Sequence, residues 1–238
     1  MRIGLGIGLN RFRGGQAAPA GLLDQYTGAA AAFSLDTLIY GDHSVEDTAV
    51  GSQTNGSTDT YTVRVRRSSD NAVRSFTHTE VGNGTLVTWV GAGNDGFVEA
   101  WYNQGSESDA VQTTAANQPK IVDAGSLVVE NGKAALEFDG VDDFMETANG
   151  VSNSENTVIA VFNDYEDRTY RYFYDGDTLA EMMLGTSNTE DVYRYSSGGI
   201  GTFSDLNGTF SDPIDILSFA VHGTTSSIAI NAKFNEQA

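Results

Sequence analysis

Three carboxylates crowd one short stretch, Asp139, Asp142 and Asp143, in Phe138-Asp139-Gly140-Val141-Asp142-Asp143-Phe144. Asp and Gly in a tight connection are turn chemistry first, because the side chain accepts from nearby main-chain N–H groups. The same carboxylates could hold Ca²⁺, which takes oxygen ligands, although their spacing is not that of an EF-hand loop. A second cluster, Trp101-Tyr102-Asn103-Gln104, sets two aromatic rings beside two amides. Sugars stack their C–H faces on exposed rings, and amides read their hydroxyls, so these four residues are the candidate carbohydrate contacts. The plainer reading is core, since aromatic side chains dominate cores by buried area. A third cluster, Arg64, Arg66 and Arg67 with Asp70 behind it, stands out in an acidic chain. It reads first as an internal ion-pair network and second as a site for an anionic ligand.

Other chemistries lack their residues. The chain has no cysteine, which removes disulfides, thiolate metal sites and cysteine nucleophiles. His43, His78 and His222 share no metal-ligand spacing. No G-x-S-x-G elbow is present. Gly4, Gly6 and Gly8 are not followed by the Lys-Ser/Thr of a phosphate loop. Glycoside hydrolysis needs only two facing carboxylates, and nothing singles out a pair among 32 acidic residues. Against those acids stand 13 Lys and Arg, for a formal charge of -19, and such a surface repels phosphate backbones. Nucleic acid is therefore not an expected partner. No stretch approaches the ~20 apolar residues of a membrane helix, so no membrane insertion is expected. Residues 1–13 do not read as a signal peptide, because Arg11 and Arg13 stand where a cleavage site should be.

The elements that must position these residues are mostly strands. With 238 residues and 39% hydrophobic composition, a sizeable core is within reach. Ile3, Leu5, Ile7 and Leu9 alternate with glycine, a period-two pattern for extended structure. The segment is too glycine-rich to hold shape alone. It reads as a loosely docked terminus, or as one that orders by adding a strand to a partner's sheet edge. Ala29 to Ala32 favour helix, and Leu35, Leu38 and Ile39 share a helical face, so a short helix is expected there.

From residue 56 the pattern is β throughout. Tyr61, Val63 and Val65 alternate with polar residues. Apolar groups follow at Leu86 to Val90, Phe97 to Trp101, Leu127 to Val129, Leu136 to Phe138, Thr157 to Phe162, Tyr172 to Tyr174, Val192 to Tyr195, Leu217 to Val221 and Ser227 to Ile230. Turns such as Asn131-Gly132, Asp139-Gly140, Asp175-Gly176 and Asn207-Gly208 separate many of them. Many short strands with turn signals predict an all-β sandwich or jelly roll. A closing strand is expected in the first third or beyond Asn231.

Several segments, in order, carry a resemblance. They are Ala32-Phe33-Ser34-Leu35, Val63-Arg64-Val65-Arg66-Arg67-Ser68-Ser69-Asp70-Asn71, Trp101-Tyr102-Asn103-Gln104, Thr114 to Val122, Asn131 to Leu136 and Phe138 to Asp143. Together they resemble the concanavalin-A-like, laminin-G-type jelly-roll domains of tailed-phage virion proteins, over roughly residues 30–235. The opening Ile3 to Leu9 is similar to the start of such proteins. The first half also resembles the catalytic domain of B-type arabinofuranosidases. That family continues Asp-Gln-Ser-Gly-Asn-Gly where this chain has Asn103-Gln104-Gly105-Ser106-Glu107-Ser108-Asp109, and it has cysteines that this chain lacks. No catalytic residue carries over.

The resemblance implies three parts: a virion-anchoring segment at 1–15, a linker with a short helix at 16–55, and a concanavalin-A-like β-sandwich at 56–238. It implies a fibre, spike or head decoration on the virion surface, commonly a homo-oligomer and most often a trimer. Its partners would be other virion proteins, reached through Ile3, Leu5, Ile7 and Leu9, and host surface glycan. The alternatives are a glycoside hydrolase acting on surface polysaccharide and a cement protein without a ligand.

Overall fold

The computed structural model describes residues 29–38, 61–105 and 107–148, and the backbone of six strands between residues 155 and 222. The expected anchor residues Ile3, Leu5, Ile7 and Leu9 lie outside the described residues, as do His43 and the strand expected at Ser227 to Ile230. The chain divides into two compact units, Met1–Asn149 and Gly150–Ala238. That boundary falls inside the span expected to form a single sandwich.

The first unit is built on β1 (Tyr61–Arg67), β2 (Val73–Thr77) and β3 (Gly96–Trp101). In β1, Val63 and Val65 point one way into the core, while Arg64 and Arg66 point the other, as the period-two pattern requires. β1 lies between β2 and β3, and both pairings are antiparallel. The register slips between Arg64 and Val65, so Glu99 is the extra residue of a bulge and turns toward Arg64. Beyond β3 lie β4 (Ala110–Val111), β5 (Lys120–Asp123), β6 (Ser126–Leu127) and a hairpin of β7 (Val129–Glu130) and β8 (Lys133–Ala134). β9 (Glu146–Thr147) closes the order β2-β1-β3-β4-β9. The hairpin turn is Asn131-Gly132, both at positive φ (49° and 75°), which the twist of a two-residue hairpin demands.

Two short helices cover the sheet where only strands are expected from sequence. α1 (His78–Gly82) starts at a capping box: Thr77 Oγ1 accepts from the Glu80 N–H, and the Glu80 carboxylate accepts from the Thr77 N–H. α2 (Thr85–Val90) replaces the strand expected around Trp89. Leu86 and Val90 are four apart, so one helical face carries both into the core. The β-branched residues of this stretch suggested a strand, and the helical spacing of its buried pair overrode that preference. The core joins Val63, Val65, Phe76, Val81, Leu86, Val90, Val98, Ile121 and Val122, drawn from β1, β2, both helices, β3 and β5.

The helix expected around Ala29 to Ile39 is also corrected. Residues 29–38 contain no helix, and Phe33 forms an antiparallel bridge with Asn103. Alanine's helix preference is a fraction of a kcal/mol per residue, and the tertiary bonds described below outweigh it. Leu136 to Phe138 shrinks to a single bridge, Lys120 with Glu137.

The second unit is antiparallel. β10 (Glu155–Phe162) pairs along its whole length with β15 (Asp215–His222), from Glu155 opposite His222 to Phe162 opposite Asp215. Between them in sequence, β11 (Tyr172–Tyr174), β12 (Met183–Thr186), β13 (Tyr193–Ser196) and β14 (Phe203–Leu206) form a four-stranded meander. The described chain is thus strand-rich and antiparallel with few helices.

Candidate functional site

The Trp101–Gln104 cluster proves to be a fastening. Asn103 is 7% exposed and Gln104 is fully buried. Asn103 Oδ1 accepts from the N–H of Ala32 at 2.7 Å and of Gly105 at 2.8 Å, and its Nδ2 donates to the carbonyls of Ala30 and Glu107. Gln104 Oε1 accepts from the Leu38 N–H at 2.6 Å, and its Nε2 donates to the Asp36 carbonyl at 2.8 Å. Tyr102 is buried, with its hydroxyl 2.6 Å from Ser75 Oγ. The half-buried Trp101 ring lies against Phe33 at 5.6 Å between centroids. The expected carbohydrate role of Tyr102, Asn103 and Gln104 is corrected accordingly, because these residues are buried, the two amides are spent on main chain and the Tyr102 hydroxyl on the Ser75 side chain. A buried amide has little choice, since leaving its groups unpaired costs about 1–3 kcal/mol each.

The arginine cluster is an internal network, the first of its two readings. Arg66 donates to Gln118 Oε1, Asn71 Oδ1 and the Ala115 carbonyl, and lies over the Phe97 ring. Arg67 grips Asp70 with two nitrogens, donates to the Trp89 carbonyl and lies over the Trp89 ring. Arg64 pairs with Glu99 at 3.3 Å. The Arg67 fork and the Ala72 N–H hold the Asp70 carboxyl down at about 2, below its ordinary 3.8. A depressed carboxylate stabilises the fold above its unfolded pKa, and that contribution disappears as pH falls through about 2. Asp70→Asn should therefore be less stable than the parent above pH 4, with the two converging near pH 2. Urea denaturation across that range checks it, and a constant difference would contradict it.

The carboxylate loop sits on the surface with its ends fixed. At one end Glu137 exchanges two main-chain bonds with Lys120. At the other, the Phe144 N–H donates to the Asn117 carbonyl, and the Phe144 carbonyl accepts from Gln112 Nε2. The buried Gln112 is held in turn by Gln118, which Arg66 braces. Inside the loop Asp139 Oδ1 accepts from the N–H groups of Val141, Asp142 and Asp143, and Asp143 Oδ2 accepts from the Asp139 N–H. These bonds are the turn chemistry expected from the sequence.

The loop also gathers charge. One carboxylate oxygen from each of Asp139, Asp142 and Asp143 lies within 4.8 Å of the others. Two oxygens bound to one Ca²⁺ at ~2.4 Å can be no more than ~4.8 Å apart, so the spacing suits that ion. Three side chains fall short of its usual six to eight ligands, which leaves positions for water or for a ligand's hydroxyls. Partial burial, reinforced by the neighbouring Asp139 and Asp142 charges, raises the Asp143 carboxyl above the ordinary value, although its bond from Asp139 pulls the other way. Around these acids Phe138 is 44% exposed, Phe144 43% and Val141 82%. Sequence reading missed this apolar rim, although Phe138 and Phe144 flank the acids in plain view. An aromatic at each end of a turn reads as core until its exposure is known.

Among the described residues no helix is long and apolar enough to cross a membrane. The fold and this loop together define a strand-rich antiparallel protein that presents a rooted acidic and aromatic turn. Comparison with family models, with curated proteins and with solved structures finds no match to the chain.

Proposed function

We propose that this chain is a virion-surface protein of the concanavalin-A-like, jelly-roll type that binds host surface carbohydrate, with the Phe138–Phe144 loop as its contact. The observation that carries the binding role is the loop itself. Exposed rings at Phe138 and Phe144 flank carboxylates whose oxygens lie within 4.8 Å of one another. Rings offer a negative face to sugar C–H groups, and carboxylates accept from sugar hydroxyls, directly or across a shared Ca²⁺. Rooting at Lys120, Asn117 and Gln112 supports the same reading, because a preorganised loop loses less entropy on binding. The virion assignment rests on the sequence resemblance carried by the segments between Ala32 and Asp143; the antiparallel, strand-rich architecture agrees with the all-β part of that reading.

Two substitutions test the contact in the full chain. Phe144→Ala and Asp142→Asn should each weaken binding to a host-type surface polysaccharide at least tenfold, while the thermal midpoint stays within about 2 °C. Unchanged affinity in both variants would remove the loop from the binding role. In calcium-free buffer, Asp142→Asn should match the parent if the carboxylate acts through Ca²⁺, and should remain weaker if it takes hydroxyls directly.

A further inference from the structure

The segment held by the Asn103–Gln104 fastening is recognised through its main chain. Asn103 bonds the Ala32 N–H and the Ala30 carbonyl; the Gln104 amide bonds the Asp36 carbonyl and the Leu38 N–H. The main-chain N–H groups of Gln104 and Glu107 donate to the carbonyls of Ala32 and Ala30, both at 2.9 Å. Side chains then discriminate. Ala32 is buried, the Phe33 ring meets Trp101, and Leu35 packs on the core cluster. A larger residue than glycine at 105 would place its Cβ 2.5 Å from the Ala30 carbonyl, so the close approach is built into the sequence. Backbone bonds for affinity and alternate side chains for specificity are the logic of strand addition.

This segment is remote in sequence from what grips it. Ala32 and Asn103 are 71 residues apart, and residues 39–60 separate the segment from β1. That connection can span about 70 Å when extended, against about 30 Å for the width of a small domain. We propose that the Trp101–Gly105 groove is a peptide-docking site whose other occupant is residues 30–38 of a second copy of the chain, so that copies join by exchanging this segment. A second copy supplies the same Ala32, Phe33 and Leu35, and makes the same bonds without any new complementarity. The two arrangements differ chiefly in closure entropy. The tethered segment competes at a millimolar effective concentration, so exchange belongs to crowded copies or to refolding at high concentration.

Two full-length variants separate donor from acceptor. Ala32→Pro deletes the N–H that Asn103 accepts, which cripples the chain's own segment and leaves the groove intact. Asn103→Ala breaks the groove and leaves the segment intact. A synthetic peptide of residues 28–39 should bind Ala32→Pro saturably and raise its thermal midpoint, and the same peptide with Phe33→Ala should bind at least tenfold more weakly. Mixing the two variants, refolded together at high concentration, should give a heterodimer by native mass spectrometry that neither forms alone. If Ala32→Pro does not fold by itself, the peptide should restore its folded tryptophan fluorescence. Absence of both peptide binding and restored folding overturns the docking site, and peptide binding without heterodimer overturns the second copy as its occupant.

Discussion

Replacing Asn103 with alanine should destabilise the first unit by about 3 kcal/mol, one of the two largest losses expected from a single substitution. The substitution removes an acceptor from two main-chain N–H groups, Ala32 and Gly105, and a donor from the carbonyls of Ala30 and Glu107. Ala30 keeps its bond from the Glu107 N–H, so the cost falls mainly on the two N–H groups. Each buried group left unpaired costs about 1–3 kcal/mol. Asn103→Asp keeps the acceptor but sets a charge against two carbonyl oxygens, so it should be destabilising as well. Equilibrium urea denaturation, with tryptophan fluorescence for Trp89 and Trp101, measures both. A loss under 1 kcal/mol for Asn103→Ala would mean that residues 29–38 contribute little to the fold.

Phe76→Ala should cost about 3–5 kcal/mol, the range for emptying an aromatic from a packed core. Phe76 is fully buried at the junction of β2 with both helices. Its ring meets the Trp89 ring edge-on at 5.2 Å, and the Arg74 guanidinium lies over it at 4.7 Å, itself paired with Glu80 of the α1 capping box. One deletion therefore loosens the contact between sheet and helices as well as leaving a cavity. Phe76→Leu should recover about half of the loss. Near-ultraviolet circular dichroism should show a changed Trp89 environment even where Phe76→Ala remains folded. A cost below 1 kcal/mol would place the core elsewhere.

The sequence made the strands legible where alternation was strict. Val63 and Val65 define β1, Asn131-Gly132 defines a two-residue hairpin, and the apolar run at 157–162 lies within β10. It was misleading where local preference and tertiary bonding disagree. Ala29 to Ala32 favour helix, yet the main chain of Ala30 and Ala32 is claimed by the Asn103 amide, as that of Asp36 and Leu38 is by Gln104, and no local pattern reports such distant claims. The α2 stretch is rich in β-branched residues, and only its Leu86 and Val90 spacing betrays a helix. The Thr77-His78-Thr79-Glu80 capping box is a local helix-start signal set among strand signals.

The candidate site divides in the same way. The acidic turn was legible because Asp and Gly have strong local preferences, and its Asp139 bonds are local ones. The Trp101–Gln104 cluster admits a sugar contact or core, and the burial of Tyr102, Asn103 and Gln104 decides for core. Rings and amides side by side have the composition of a sugar site, but they also have the composition of a fastening, and only burial separates the two. Met183–Thr186 and Phe203–Leu206 gave weak alternation and were not foreseen as strands.

The most direct test of the central claim is a binding titration of the purified full chain against host-type surface polysaccharides, with and without Ca²⁺, following sugar release in the same samples. Saturable binding without release, lost in Phe144→Ala, is the result expected of a carbohydrate-binding surface protein. Release of sugar would indicate a glycoside hydrolase instead. No binding to any polysaccharide, with or without Ca²⁺, would contradict the proposal and leave a cement protein whose acidic loop is only a turn.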